Sequence, residues 1–142
     1  MSRFQILVLN GPNLNLLGSR EPEVYGNSTL DDLVSDLRAR FPDIEIADVQ
    51  SNDEGALIDA IQDFGSRFNG IVFNPGGYAH TSVAIRDAVS AISAPVIEVH
   101  ISNIHAREEF RNISIVGGAC KAVISGLGVS GYAVAIAHLT SL

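Results

Sequence analysis

The side chains best suited to chemistry are Asn13, Arg20 and Tyr25 on one polar stretch, and Glu98 with His100 on another. The first stretch, LNGPNLNLLGSREPEVYG, spans residues 9–26 and follows a short apolar run. A phenol titrates near about pH 10 and is a poor base at neutral pH. A neighbouring guanidinium favours the phenolate and brings that value down. Arg20 precedes Tyr25 on the same loop, so the chain can return it to the ring. A tyrosinate suits abstraction of a proton beside a carbonyl. An amide such as Asn13 suits stabilisation of the enolate that results, directly or through water. Glu98 and His100 alternate along an apolar run, so they point to one face of a strand. A carboxylate in a sheet interior is costly unless paired, which makes Glu98 the group that orients and tunes His100. A histidine so held can protonate a departing hydroxyl. These residue types suggest proton abstraction followed by elimination.

The pattern of the chain supplies the elements that must position them. Short apolar runs at Phe4–Leu9, Ile44–Val49, Gly70–Phe73, Pro95–Val99 and Ala122–Ile124 read as strands. Between them lie helices. Thr29 or Ser28 caps the first, which carries Leu30, Leu33, Val34, Leu37 and Phe41 at helical spacing and ends at Pro42-Asp43. Leu57, Ile58, Ile61, Phe64 and Phe68 mark the second, and Ser82–Ile92 is the third. A short helical stretch is expected near Ala106–Phe110 and a final helix over Gly131–Leu139. Strand–helix alternation gives a parallel sheet covered on both faces. The expected fold is α/β and flavodoxin-like: one domain over residues 1–142, with a five-stranded parallel sheet of order 2-1-3-4-5.

In such sheets ligands bind outside the carboxyl ends of the strands, where the strand order reverses. That selects the loop after strand 1, the segment Asn74–Ser82 after strand 3, and His100-Ile101-Ser102-Asn103 after strand 4. Other features read as structural. Asn10 fits a plain turn. Gly126-Leu127-Gly128-Val129-Ser130-Gly131 matches a dinucleotide fingerprint, but no strand and no acidic residue follow it, so close strand–helix packing is the better reading. His80, His100 and His105 do not form a metal-ligand pattern. His105 reads as a surface group, Glu54 as part of a helix cap, and Arg111 as a helix-end charge on the strand 4 side of the crevice.

Composition narrows the partners. The net charge of −7 argues against nucleic acid or an anionic membrane, and the apolar runs are too short to span a bilayer. With no signal-peptide pattern the expected location is the cytoplasm. Cys120 alone can form neither an internal disulfide nor a metal cluster. A hydrophobic content of 46% against 18% charged residues leaves room for self-association.

The sequence strongly resembles the type II 3-dehydroquinate dehydratases over nearly its whole length. The resemblance rests on Asn10–Gly26, on Gln50-Ser51-Asn52 with Glu54-Gly55, and on Asn74-Pro75-Gly76 with His80-Thr81-Ser82. It continues through Ala84-Ile85-Arg86-Asp87-Ala88 and Glu98–Phe110. It implies a cofactor-independent anti elimination of water from 3-dehydroquinate, giving 3-dehydroshikimate through an enolate. In that scheme Tyr25 is the base, Arg20 favours its tyrosinate, Asn13 stabilises the enolate, and His100, held by Glu98, is the acid. Asn74 and the Ile101–Ser102 backbone would hold the substrate carboxylate, while His80 and Arg111 would contact ring hydroxyls. Asp87 would reach the site of a neighbouring subunit in a dodecamer built of trimers. Ile115, Gly117, Ala122 and Asp53 depart from the usual pattern and lie outside the catalytic set.

The same fold also hosts phosphoacceptor receivers and flavin proteins. A receiver needs acidic residues where Asn10 and Asn74 stand, and a flavin protein needs a Ser/Thr-Gly-rich phosphate loop that is absent here. A non-catalytic small-acid-binding protein is the remaining alternative, and turnover separates it from the enzyme.

Overall fold

The computed structural model describes residues 3–19, 23 and 27–142. Arg20 and Tyr25 therefore lie outside the described residues. Strands β1 (Phe4–Asn10), β2 (Ile44–Gln50), β3 (Gly70–Asn74), β4 (Val96–His100) and β5 (Ala122–Ser125) form one parallel sheet of order β2-β1-β3-β4-β5. Helices α1 (Leu30–Arg40), α2 (Glu54–Gly65), α3 (Val83–Ala91) and α4 (Ser130–Thr140) cover it.

Alternation along β1 explains the layering. Ile6 and Val8 pack with Leu33 and Leu37 of α1 and Tyr132, Ile136 and Leu139 of α4. Leu7 and Leu9 pack with Leu57 and Ile61 of α2 and Ile85 and Val89 of α3. Because both faces are covered, the Ile6–Leu9 stretch of β1 reads as a continuous apolar run rather than an alternating one. Helix starts follow capping chemistry. Thr29, not Ser28, caps α1 in a reciprocal box with Asp32, each side chain bonded to the other's backbone N–H at 3.1 Å. The Ser82 hydroxyl accepts the Ile85 N–H at 2.9 Å at the start of α3.

The differences from the sequence reading share a cause. Each strand runs one residue further than its apolar run, ending on Asn10, Gln50, Asn74, His100 or Ser125. These polar residues keep the ladder: Asn10 is in register with both Gln50 and Asn74, and His100 with Ser125. Asn10 is thus the end of a strand and not a turn. The strand 4 boundary moves from Pro95 to Val96, as a residue without an N–H cannot donate to a ladder. Helix α2 stops at Gly65, although Phe68 stays buried just beyond it. The stretch expected near Ala106–Phe110 is two separate 3-10 turns, Ile104–Ala106 and Glu109–Arg111.

Candidate functional site

A cleft of about 100 Å³ opens at the carboxyl edge of the sheet. The loop after β1 supplies Pro12, Asn13 and Leu14, and β3 with its following turn supplies Asn74, Gly76, Gly77 and His80. The β4 side supplies His100, Ile101, Ser102 and Ile104, then Arg107 and Arg111. Loops from three different strands converge because the strand order reverses between β1 and β3.

Glu98 and His100 share the face of β4 that the alternation required. Glu98 is fully buried and its Oε2 lies 2.7 Å from His100 Nε2. A carboxylate can only accept, so this contact places a proton on Nε2 and leaves Nδ1 for the cleft. The other carboxylate oxygen, Glu98 Oε1, is buried with no hydrogen-bond partner among the described residues. His80 stacks 6.0 Å from His100, ring centre to ring centre. Its Nδ1 donates to the Ile113 carbonyl at 2.8 Å, which leaves Nε2 for the cleft.

The segment after β4 is braced from β5. The N–H groups of Gly126 and Gly128 donate to the carbonyls of His100 and Ile101 at 3.2 and 3.0 Å. Ser125 Oγ donates to the Ser102 carbonyl at 3.2 Å and accepts the Ile104 N–H at 3.1 Å. Gly126 and Gly128 have φ of 90° and 63°, a conformation that suits glycine. A Cβ on Gly131 would lie 3.1 Å from Val99. The glycine motif therefore serves packing, as expected, and also holds the loop that lines the cleft.

On the other flank, Asn13 has a left-handed φ of 71°, and its N–H donates to Asn52 Oδ1 at 3.0 Å. Gln50 donates to that same oxygen and to the Gly11 carbonyl, both at 3.1 Å. A Cβ on Gly11 would come within 2.5 Å of the Pro75 carbonyl oxygen, so glycine is required where the β1 and β3 loops meet. Glu54 is not the cap: Asp53 caps α2, its side chain accepting the Gly55 N–H, and Glu54 is the first residue of the helix, accepting a hydrogen bond from Ser82 Oγ that joins the starts of α2 and α3.

Sequence reasoning missed two residues. Arg107 lines the cleft, and its guanidinium donates to Ser102 Oγ at 3.4 Å. Its spacing from Arg111 was the available signal. Glu108 takes hydrogen bonds from Arg111 at 3.2 Å. Its own backbone N–H, and then Arg111, hold the Glu108 carboxyl below the usual carboxylate range. The second is Tyr132 on α4, whose hydroxyl reaches Asn10 and Asn74 behind the cleft. Asp87 does not line the cleft and stands exposed on the outer side of α3. His105 is an exposed group, as expected. Among the described residues no set of three His, Cys, Asp or Glu side chains is placed to hold a metal. No described helix is long and apolar enough to cross a membrane.

Topology and cleft together define a flavodoxin-like α/β protein whose carboxyl edge presents two histidines and two arginines to a small ligand, with the buried Glu98 carboxylate bonded to His100. The chain belongs to the class II dehydroquinase family, whose profile, described as "Dehydroquinase class II", matches residues 4–140. It is 56% identical over 134 residues to the 3-dehydroquinate dehydratase of an Exiguobacterium species, covering 94% of this chain and 92% of that one. It is 53% identical over 135 residues to the "Catabolic 3-dehydroquinase" of Pyricularia oryzae, covering 92% and 86%. The crystal structure of the type II dehydroquinase from Butyrivibrio crossotus superposes with a TM-score of 0.95 at 48% identity, covering 99% of each chain.

Proposed function

We propose that this protein is a type II 3-dehydroquinate dehydratase, a hydro-lyase converting 3-dehydroquinate to 3-dehydroshikimate. The observation that carries the reading is the buried Glu98–His100 pair at the cleft, with Nε2 committed to Glu98 and Nδ1 left for substrate. Tyr25, assisted by Arg20, takes the proton from the carbon next to the ketone. Electrons pass into the carbonyl, and Asn13 stabilises the resulting enolate. As the enolate collapses, the carbon–oxygen bond at the β-carbon breaks. His100, doubly protonated, gives its Nδ1 proton to the hydroxyl, which leaves as water. Glu98 keeps its hydrogen bond to Nε2 throughout and fixes the ring. Asn74 and the Ile101–Ser102 backbone hold the carboxylate, while His80 and Arg111 meet ring hydroxyls. The reaction needs no redox group.

The subunit is proposed to act in the cytoplasm as a dodecamer built of trimers, with Asp87 reaching a neighbour's site. Its exposed position on α3 supports this, as do the exposed apolar side chains of Val83, Phe110, Ile113, Val123 and Leu127. The product is a conjugated enone and the substrate is not. Pure, chelator-treated protein given 3-dehydroquinate is therefore expected to raise ultraviolet absorbance. Borohydride added with substrate is expected to spare activity, because the sole lysine, Lys121, precedes β5 at the opposite edge of the sheet. A protein that binds 3-dehydroquinate without turnover would instead be the non-catalytic acid binder.

A further inference from the structure

Tyr132 is the largest fully buried side chain among the described residues, on a helix face otherwise formed by Ala135, Ile136 and Leu139. Phenylalanine would fill nearly the same volume there without burying a hydroxyl. The hydroxyl is bonded on both sides: it donates to Asn10 Oδ1 at 2.6 Å and accepts from Asn74 Nδ2 at 2.9 Å. Asn74 Oδ1 in turn accepts the Gly76 N–H at 3.0 Å. The chain therefore runs Asn10, Tyr132, Asn74, Gly76, from the end of β1 to a turn that lines the cleft. It has one direction. Turning the Asn74 carboxamide over would set its NH₂ against the Gly76 N–H, donor against donor, and would leave Tyr132 without that donor. With the amide held this way, Nδ2 keeps one hydrogen to spare, and Asn74 lines the cleft. Burial pushes the Tyr132 phenol well above its ordinary value, so it stays a donor throughout the working pH range.

We propose that Tyr132 is a positioning residue for the substrate carboxylate: its hydroxyl holds the Asn74 amide so that the free Nδ2–H faces the cleft. This rests on the proposed role of Asn74 as a carboxylate ligand. It predicts a KM effect that passes through Asn74. In the ultraviolet assay Tyr132→Phe is expected to raise KM roughly three- to tenfold, the worth of one hydrogen bond, with kcat within about twofold. In an Asn74→Ala background the same change is expected to move KM by less than about twofold. A merely structural phenol lowers the melting temperature and the active fraction, hence kcat, without touching KM. An unchanged KM in Tyr132→Phe, or effects that multiply in the double variant, would overturn the inference. An Asn74→Ala enzyme with wild-type KM would remove the carboxylate role beneath it, and the inference with it. Absence of turnover in the wild type would mark failure of the enzyme reading itself. Should Tyr132→Phe not fold, Tyr132→Met also removes the hydroxyl while filling the apolar site, and is read in the same way.

Discussion

On the β4 flank of the cleft, Glu98 and His100 are buried and hold each other at 2.7 Å. On the β1 flank, Asn13, Gln50 and Asn52 share bonds of about 3 Å at positions open or half-open to water. The contrast shows two ways of fixing a polar group. In a dry site one partner suffices, because nothing replaces it when it is lost. In a wet site each bond is weak alone, and position comes from several of them attached to backbone. The buried flank should couple activity to stability, and the exposed flank should separate them.

The largest effect is expected from Tyr25→Phe. It deletes the proposed base and keeps the ring. The chemical step is expected to fall by ~10⁴-fold, the upper end for general acid–base help, with melting temperature and product affinity unchanged. Arg20→Ala is expected to be weak at neutral pH and to recover partly as the pH nears about 10. Near-normal turnover by Tyr25→Phe at neutral pH would mean the loop carries no base.

Glu98→Ala should act on both quantities. Removing one member of a buried pair is expected to lower stability by about 3–5 kcal/mol and turnover by ~10²-fold or more. Glu98→Gln keeps an acceptor for Nε2 and is expected to lose less stability than Ala. Thermal melts beside turnover assays check this, and a Glu98→Ala protein that melts with the wild type would contradict the buried flank's account.

Asn52→Ala takes away the acceptor of the Asn13 N–H on the exposed flank. Its effect is expected to be a few-fold fall in kcat with stability within about 0.5 kcal/mol of wild type. A large drop in melting temperature would show that this flank is not redundant.

The smallest effect is expected at Cys120. Burial, with a contribution from the charge of Glu98, pushes its thiol from an ordinary 9.0 up to about 12. The folded protein is expected to resist iodoacetamide at pH 8 and to react once denatured. The sign for stability follows. The unfolded thiol ionises first, so this contribution is intact below pH 9 and fades as the pH rises toward 12. Rapid alkylation of the native protein would contradict it.

The sheet was legible because β1, β3 and most of β4 are apolar runs, β2 alternates between apolar and charged residues, and the helices carry caps such as Thr29 and Ser82. The strand ends were not, since Asn10, Gln50, Asn74 and Ser125 look like loop residues until the ladder pairs them. Glu98 and His100 were legible from alternation alone. Tyr132 was not, because nothing local says that an aromatic on an apolar helix meets two asparagines from distant strands. Arg107 was passed over because a charge in a polar run looks solvated until the chain folds it beside Ser102.

The buried pair on β4 is proposed to deliver the proton that releases water. Turnover of 3-dehydroquinate by His100→Ala, read as enone absorbance beside calorimetric affinity for 3-dehydroshikimate, tests it most directly. Turnover is expected to fall by ~10²–10⁴-fold with product binding retained. Turnover within tenfold of wild type in a folded, product-binding variant would contradict it.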